Sequence, residues 1–243
     1  FISSVAIITI IELPQLIIKV QIKWVLLTFH CIYSILALQT LSRSSLRTVR
    51  ILMTHSQALL PNYLYTHKNH TILLNISSII FGVLFISALA QIAIPVPFSP
   101  VPITGQTFGV LLLALTWGKS RAAMSTFIYF SLGTAGLPIF AASSSGLLIG
   151  PTFGYLIGMF FASVVVGHLA DHGYTCSFKK ALLAVLIGNV VIYFFGLLGL
   201  SFFIENSKVL ALGLIPFIPG GIAKAILAAG IATKAATYFS PAK

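Results

Sequence analysis

Lys224 is the residue whose presence packing explains least well. It lies inside the last long apolar run of the 243-residue chain, just after PFIPGG at Pro216–Gly221. A lysine at the centre of a bilayer costs ~2.5–3.5 kcal/mol on insertion scales, so an ammonium retained there points to a ligand or ion site. The chain has only three acids, Glu12, Asp171 and Glu205. Of these, Glu205 is the one placed to pair with Lys224, and an anionic group on a ligand would serve as well. The alternative is that Lys224 snorkels to the headgroups from the first turn of a helix opened by Pro219 and Gly220. The unpaired charge faces charge-poor loops, which favours the ligand.

Other polar residues sit where they can surround a small molecule. IPVPFSPVPITGQT, Ile94–Thr107, holds four prolines in eight residues and then Thr104, Gly105, Gln106 and Thr107. Prolines fix φ and stiffen such a loop, which suits a cap over a pocket, with Gln106 among the polar groups beneath it. A second Gly/Ser-rich loop, with Ser144 and Ser145, leads into a helix with Pro151 at its expected first turn. One turn further, Tyr155 presents an aromatic face to an apolar ring. Asn189 and Tyr193 form an i, i+4 polar pair that helix packing explains equally well. Ser78 and Gly82 are small residues one turn apart, suited either to packing within the chain or to docking a partner helix.

Several chemistries are excluded. Three scattered acids cannot supply clustered carboxylates for two-metal hydrolysis or paired-acid glycoside cleavage. WGKS at Trp117–Ser120 ends like a phosphate-binding loop, but Leu113 stands where the first glycine is needed. HLADH, His168–His172, has the i, i+4 spacing of a zinc-binding helix face, yet no third ligand is near. A membrane metalloenzyme using this segment is therefore a weaker alternative. Cys31 and Cys176 share no motif, so neither a disulfide framework nor a metal site is expected. No catalytic residues, cofactor or nucleic-acid partner is expected.

These residues must be positioned by membrane helices. The chain is 58% hydrophobic and 7% charged, against about 25% charged in soluble domains. Uncharged runs cover Thr71–Ile94, Ile103–Gly118, Ala122–Ala142, Pro151–Ala170 and Ala181–Ile204, and Val209–Thr233 contains only Lys224. Crossing ~30 Å of hydrocarbon takes ~20 apolar residues in a helix. The pattern predicts an all-α integral membrane protein, a six-helix bundle spanning residues 71–243. Lysines and arginines cluster in alternate connections, so the net charge of +11 reads as an orientation signal in a bilayer. Both ends of the six-span unit are then cytoplasmic.

Residues 1–70 differ. Val25–Leu41 is long enough to form an extra helix, and Ser42–His70 reads as a basic loop. The chain starts at Phe1 and its first methionine is Met53, so part of this N-terminal apolar extension is expected to be non-native.

PVPFSPVPITGQTFGVLLLALTWG, GLPIFA, GPTFGYLIG, VIYFFG and PFIPGGIAKA, in this order, resemble the BioY family, the biotin-binding membrane subunits (S components) of energy-coupling factor (ECF) vitamin transporters. The resemblance covers roughly Asn75 to Tyr238. It implies a six-helix subunit of the bacterial plasma membrane that binds biotin near the outer face. Its partners would be a membrane coupling protein and two ATPase subunits. It also implies that Lys224 helps hold the ligand carboxylate, that Ser144 and Ser145 line the ureido end, and that Ser78 and Gly82 dock the coupling protein. Two departures stand out. Gly221 occupies the place of a family aspartate, and the Gly/Ser loop is short, reading AASSSG. The first motivates an alternative ligand, another small carboxylate. A reporter fused after Lys243 is expected on the cytoplasmic side, and an external reporter there would overturn the topology.

Overall fold

The computed structural model describes residues 71–239 apart from 147–149; the expectations for residues 1–70 fall outside the described residues. Six helices carry the fold: α1 (Thr71–Ala90), α2 (Gln106–Thr134), α3 (Phe153–Asp171), α4 (Phe178–Leu200), α5 (Asn206–Gly213) and α6 (Phe217–Phe239). Two short strands, β1 (Ala93–Ile94) and β2 (Ile103–Thr104), pair antiparallel with Ala93 opposite Thr104. They close the base of the proline-rich loop and so fix where Thr104 enters the bundle.

α2 contains two antiparallel arms. A continuous helix would carry residues 106 and 129 ~35 Å apart, yet the side chains of Gln106 and Tyr129 are hydrogen-bonded. The reversal occurs at Gly118, with φ 77° and ψ −179°, a conformation almost confined to glycine because a Cβ would clash. The broken ladder is repaired by the far end of α3. Asp171 accepts from the Lys119 backbone N–H at 3.1 Å, and the Thr175 hydroxyl, between α3 and α4, donates to Leu115 O at 2.8 Å. The Leu115 carbonyl is fully buried, where a released backbone group needs such a partner.

The second arm, residues 119–134, holds α1. Arg121 directs Nε and Nη2 at Asn75 Oδ1, at 3.0 and 2.6 Å, and Ser125 Oγ donates to Ile79 O at 3.3 Å. Gly82 is buried in this contact; a Cβ there would stand 2.8 Å from the Trp117 ring. Gly82 therefore faces its own bundle instead of an outside helix, because it alone leaves room for Trp117. Ser78 is half-buried and its hydroxyl returns to Asn75 O at 2.8 Å.

Helix boundaries depart from the apolar runs for local reasons. The last run, expected from Val209, is interrupted between Gly213 and Phe217, because Pro216 lacks an N–H and restricts its predecessor. α4 begins at Phe178, taking Lys179 and Lys180 into its first turn.

Bulky apolar side chains cover the outside. Val190, Phe194 and Leu198 form an exposed stripe along α4, and Ile218, Ile222 and Ile226 another along α6. The interior is built of small residues, with Ala162, Ala184, Ala225, Ala228 and Ala232 fully buried. Exposed apolar faces over a small-residue interior are the arrangement expected in lipid, where close van der Waals packing holds helices together. Phe153–Asp171, Phe178–Leu200 and the stretch Asn206–Tyr238 are each long and apolar enough to cross a bilayer. Replacing Gly118 with alanine is expected to cost about 1–3 kcal/mol at the reversal, read as a lower midpoint in thermal unfolding of the detergent-solubilised protein.

Candidate functional site

One end of the bundle encloses a cavity of about 250 Å³, close to the lower end of the ~300–1,000 Å³ range of ligand pockets. Its walls come from β2 and the start of α2, the segment around Phe140, the first half of α3, α4, and the first turns of α6.

Lys224 stands on one wall, half-buried. Its Nζ donates to Thr104 O at 2.6 Å and to Thr107 Oγ1 at 3.3 Å. An ammonium has three protons, so one is left for a ligand acceptor. The expected pairing with Glu205 does not occur: Glu205 meets Lys208 at 2.9 Å, both well exposed. One helical turn separates those two residues, and α5 holds them away from the cavity. Asp171, the other acid among the described residues, lies at the Gly118 reversal. The positive charge at the cavity is therefore balanced by oxygen dipoles and by no carboxylate among the described residues.

Behind Lys224 runs a buried polar chain. Thr104 Oγ1 donates to Gln106 Oε1 at 2.9 Å, Gln106 Nε2 donates to the Tyr129 hydroxyl, and Tyr129 donates to Ile139 O at 3.1 Å. Gln106 and Tyr129 are almost fully buried, where an unsatisfied amide or hydroxyl would be costly. The chain fixes the Gln106 side chain at the cavity wall and links both arms of α2 to the segment before Phe140.

Two tyrosines shape the apolar side. Tyr155 donates to Gly213 O at 2.7 Å and sets its ring 6.2 Å from that of Phe217. Tyr193 donates to Phe217 O at 3.2 Å, and Asn189, one turn earlier, donates to Gly221 O at 3.3 Å. The Asn189–Tyr193 pair thus pins the first turns of α6 to α4 while Tyr193 also lines the cavity. Met159, Ile192 and Phe217 complete the apolar lining.

Lys224, Tyr155, Gln106, Ser144 and Tyr193 therefore share one cavity. Ser145 is half-buried but is not on the cavity wall. Ser144 spends its hydroxyl proton on Ala141 O at 2.7 Å, leaving its lone pairs for a donor. Tyr129, Phe140 and Phe217 were not singled out by sequence. The signal for Tyr129 is its near-symmetric distance from Gly118 to Gln106, legible only once Gly118 is taken as a reversal. His168 and His172 lie outside the cavity with rings 4.4 Å apart. Among the described residues no three of His, Cys, Asp and Glu gather to hold a metal ion.

Apolar helices around a small cavity with one half-buried cation on its wall are the frame of a membrane protein that binds a small molecule. Comparison with known proteins makes this specific. Residues 64–240 match the BioY family, and the chain belongs to that family. It is 36% identical over 144 residues to the biotin transporter BioY of Thermotoga maritima, covering 58% of this chain and 84% of that protein. It is 36% identical over 161 residues to the probable biotin transporter BioY of Pyrococcus horikoshii, covering 65% and 94%. A crystal structure of the S-component for biotin from an ECF-type ABC transporter superposes with a TM-score of 0.63 at 29% identity, covering 69% of this chain and 93% of that one.

At Gly221 the cavity wall is tight, because a Cβ there would collide with the Tyr193 hydroxyl. Gly221→Ala is expected to lower the thermal midpoint, and Tyr193→Phe in the same chain should make the alanine less harmful. A coupling of ~0.5–3 kcal/mol in that double-mutant cycle is expected; simple additivity would show that the contact does not restrain the wall.

Proposed function

We propose that this protein is the membrane substrate-binding subunit for biotin uptake, a transport protein and not an enzyme. The observation that carries the proposal is the Lys224 ammonium, held by two oxygens at the edge of an apolar cavity with one proton unspent. Biotin offers a carboxylate for that proton, an apolar bicycle for Tyr155, Met159, Ile192 and Phe217, and a polar ureido group for the Ser144 and Gln106 side. The relatives, a biotin transporter, a probable biotin transporter and an S-component for biotin, support the same ligand.

The bundle on this reading spans the bacterial plasma membrane six times: α1, the two arms of α2, α3, α4 and α6. Lys119, Arg121, Lys179, Lys180 and Lys234 lie away from the cavity, at or near the ends of their helices, and by the positive-inside rule that end is cytoplasmic. The cavity then opens outward and the C-terminus is inside. Residues 71–243 form the transport domain, with 1–70 as an extension. Transport proceeds with a coupling protein and two ATPase subunits. Of Ser78 and Gly82, Ser78 is the one left for that docking, since Gly82 is covered by Trp117 and Ser125.

A second ligand is favoured by one specific feature. Gly221 provides no side-chain acceptor, and the space beside it is filled by a neutral hydroxyl. Another small carboxylate would keep the Lys224 contact without needing an anionic acceptor for ureido N–H groups.

Equilibrium binding of labelled biotin to the purified protein in detergent tests the proposal. Saturable binding is expected, weakened about tenfold or more by Lys224→Ala, as loss of a charged hydrogen bond of ~1.5–3 kcal/mol would give. Binding unaffected by the substitution would remove Lys224 from the site. Absence of binding in a folded parent, with another carboxylate competing, would transfer the site to that ligand.

A further inference from the structure

Gln91 follows the last residue of α1 and is exposed, yet the whole capacity of its amide is in use. Nε2 donates to Ser87 O at 3.2 Å and to Phe140 O at 3.3 Å. Oε1 accepts from the backbone N–H of Ser143 at 3.0 Å and from its hydroxyl at 2.9 Å. The segment gripped in this way is a wall of the cavity, to which Phe140, Ala141 and Ser144 contribute lining.

The same segment is the place among the described residues where non-glycine residues take positive φ. Ala142 has φ 54° and ψ 40°, and Ser143 has φ 58°. L-residues disfavour this region because Cβ crowds the neighbouring carbonyl. Two in succession persist only where surrounding contacts over-determine them. On the inner side, Phe140 is buried edge-on against Tyr129, with ring centres 5.5 Å apart. On the outer side, both side-chain bonds that reach Ser143 come from Gln91.

We propose that Gln91 is a positioning residue that latches the Phe140–Ser144 wall against the cavity from the end of α1. Three of its four bonds lie at exposed positions where water competes, so the latch is releasable. The strained turn supplies the tendency to move away once it is released. A shift of the α1 end relative to α2 thereby reaches the ligand wall without any direct contact with the ligand. That the wall encloses biotin rests on the proposed function; that the wall is latched does not.

The test separates the two. Ser144→Cys is introduced into the chain with Cys31→Ala and Cys176→Ala, and its rate of modification by a bulky maleimide is measured without ligand. Gln91→Ala is expected to raise that rate about tenfold. Adding Ala142→Gly, which accepts positive φ without a steric penalty, should bring it part of the way back. In the chain with native Ser144, Gln91→Ala should speed biotin release about tenfold and leave the ligand-free thermal midpoint in place. An unchanged modification rate overturns the latch, and a rate that Ala142→Gly fails to lower overturns the role of strain. If the parent binds no biotin while the rates respond as expected, the latch stands and the ligand assignment falls.

Discussion

The bond from the Lys224 ammonium to the Thr104 carbonyl, 2.6 Å long, is the contact on which the cavity depends. It joins the first turns of α6 to the end of the β1–β2 hairpin, so the last helix and the first loop meet across the site. A desolvated ammonium is tolerable only with good acceptors close by. Backbone and hydroxyl oxygens meet that need without cancelling the charge, as a carboxylate would. Net positive potential is thus preserved at the cavity wall. The same bond holds Thr104 in place, from which the buried chain through Gln106 and Tyr129 continues to the Phe140 wall.

The far end of the bundle is governed by a different requirement. Where α2 reverses at Gly118, backbone groups leave the helical ladder and take other partners. Asp171 and Thr175 supply them. Asp171 therefore has a structural role at the reversal. His168 and His172 follow as residues of a helix end, with His172 Nδ1 2.8 Å from His168 O. The molecule separates its two tasks along the helix axes: the Gly118 end is closed by structural hydrogen bonds, and the Lys224 end keeps polar capacity in reserve.

Much of this was legible in the sequence where one residue violated its surroundings. Lys224 in an apolar run and four prolines before TGQT are such violations, and Lys224, Pro102 and Thr104 line the cavity. Tertiary pairing was less legible. Glu205 looked like the partner for Lys224 because it was the nearest remaining acid, but a lysine three residues away captures it. Gly82 looked available for docking because composition cannot say which way a small residue faces, and Trp117 decides that. Gln91 carried no signal, since a polar residue at the end of an apolar helix is ordinary. Its importance comes from the strained backbone it meets 52 positions later.

Gly221 shapes the cavity wall by what it lacks. An acidic side chain there would stand against the Tyr193 hydroxyl and would bring a second desolvated charge close to Lys224. Such a pair gains Coulomb energy but surrenders hydration of both ions, and buried pairs often come close to cancelling. With glycine there, the Tyr193 hydroxyl bonds Phe217 O and Asn189 bonds Gly221 O, so α4 and α6 are joined at this wall. The cavity then offers neutral acceptors on this wall and leaves the single positive charge uncompensated. Of the polar groups on the cavity wall, the ammonium is therefore the one able to make a charge-assisted hydrogen bond, the strongest kind available to it.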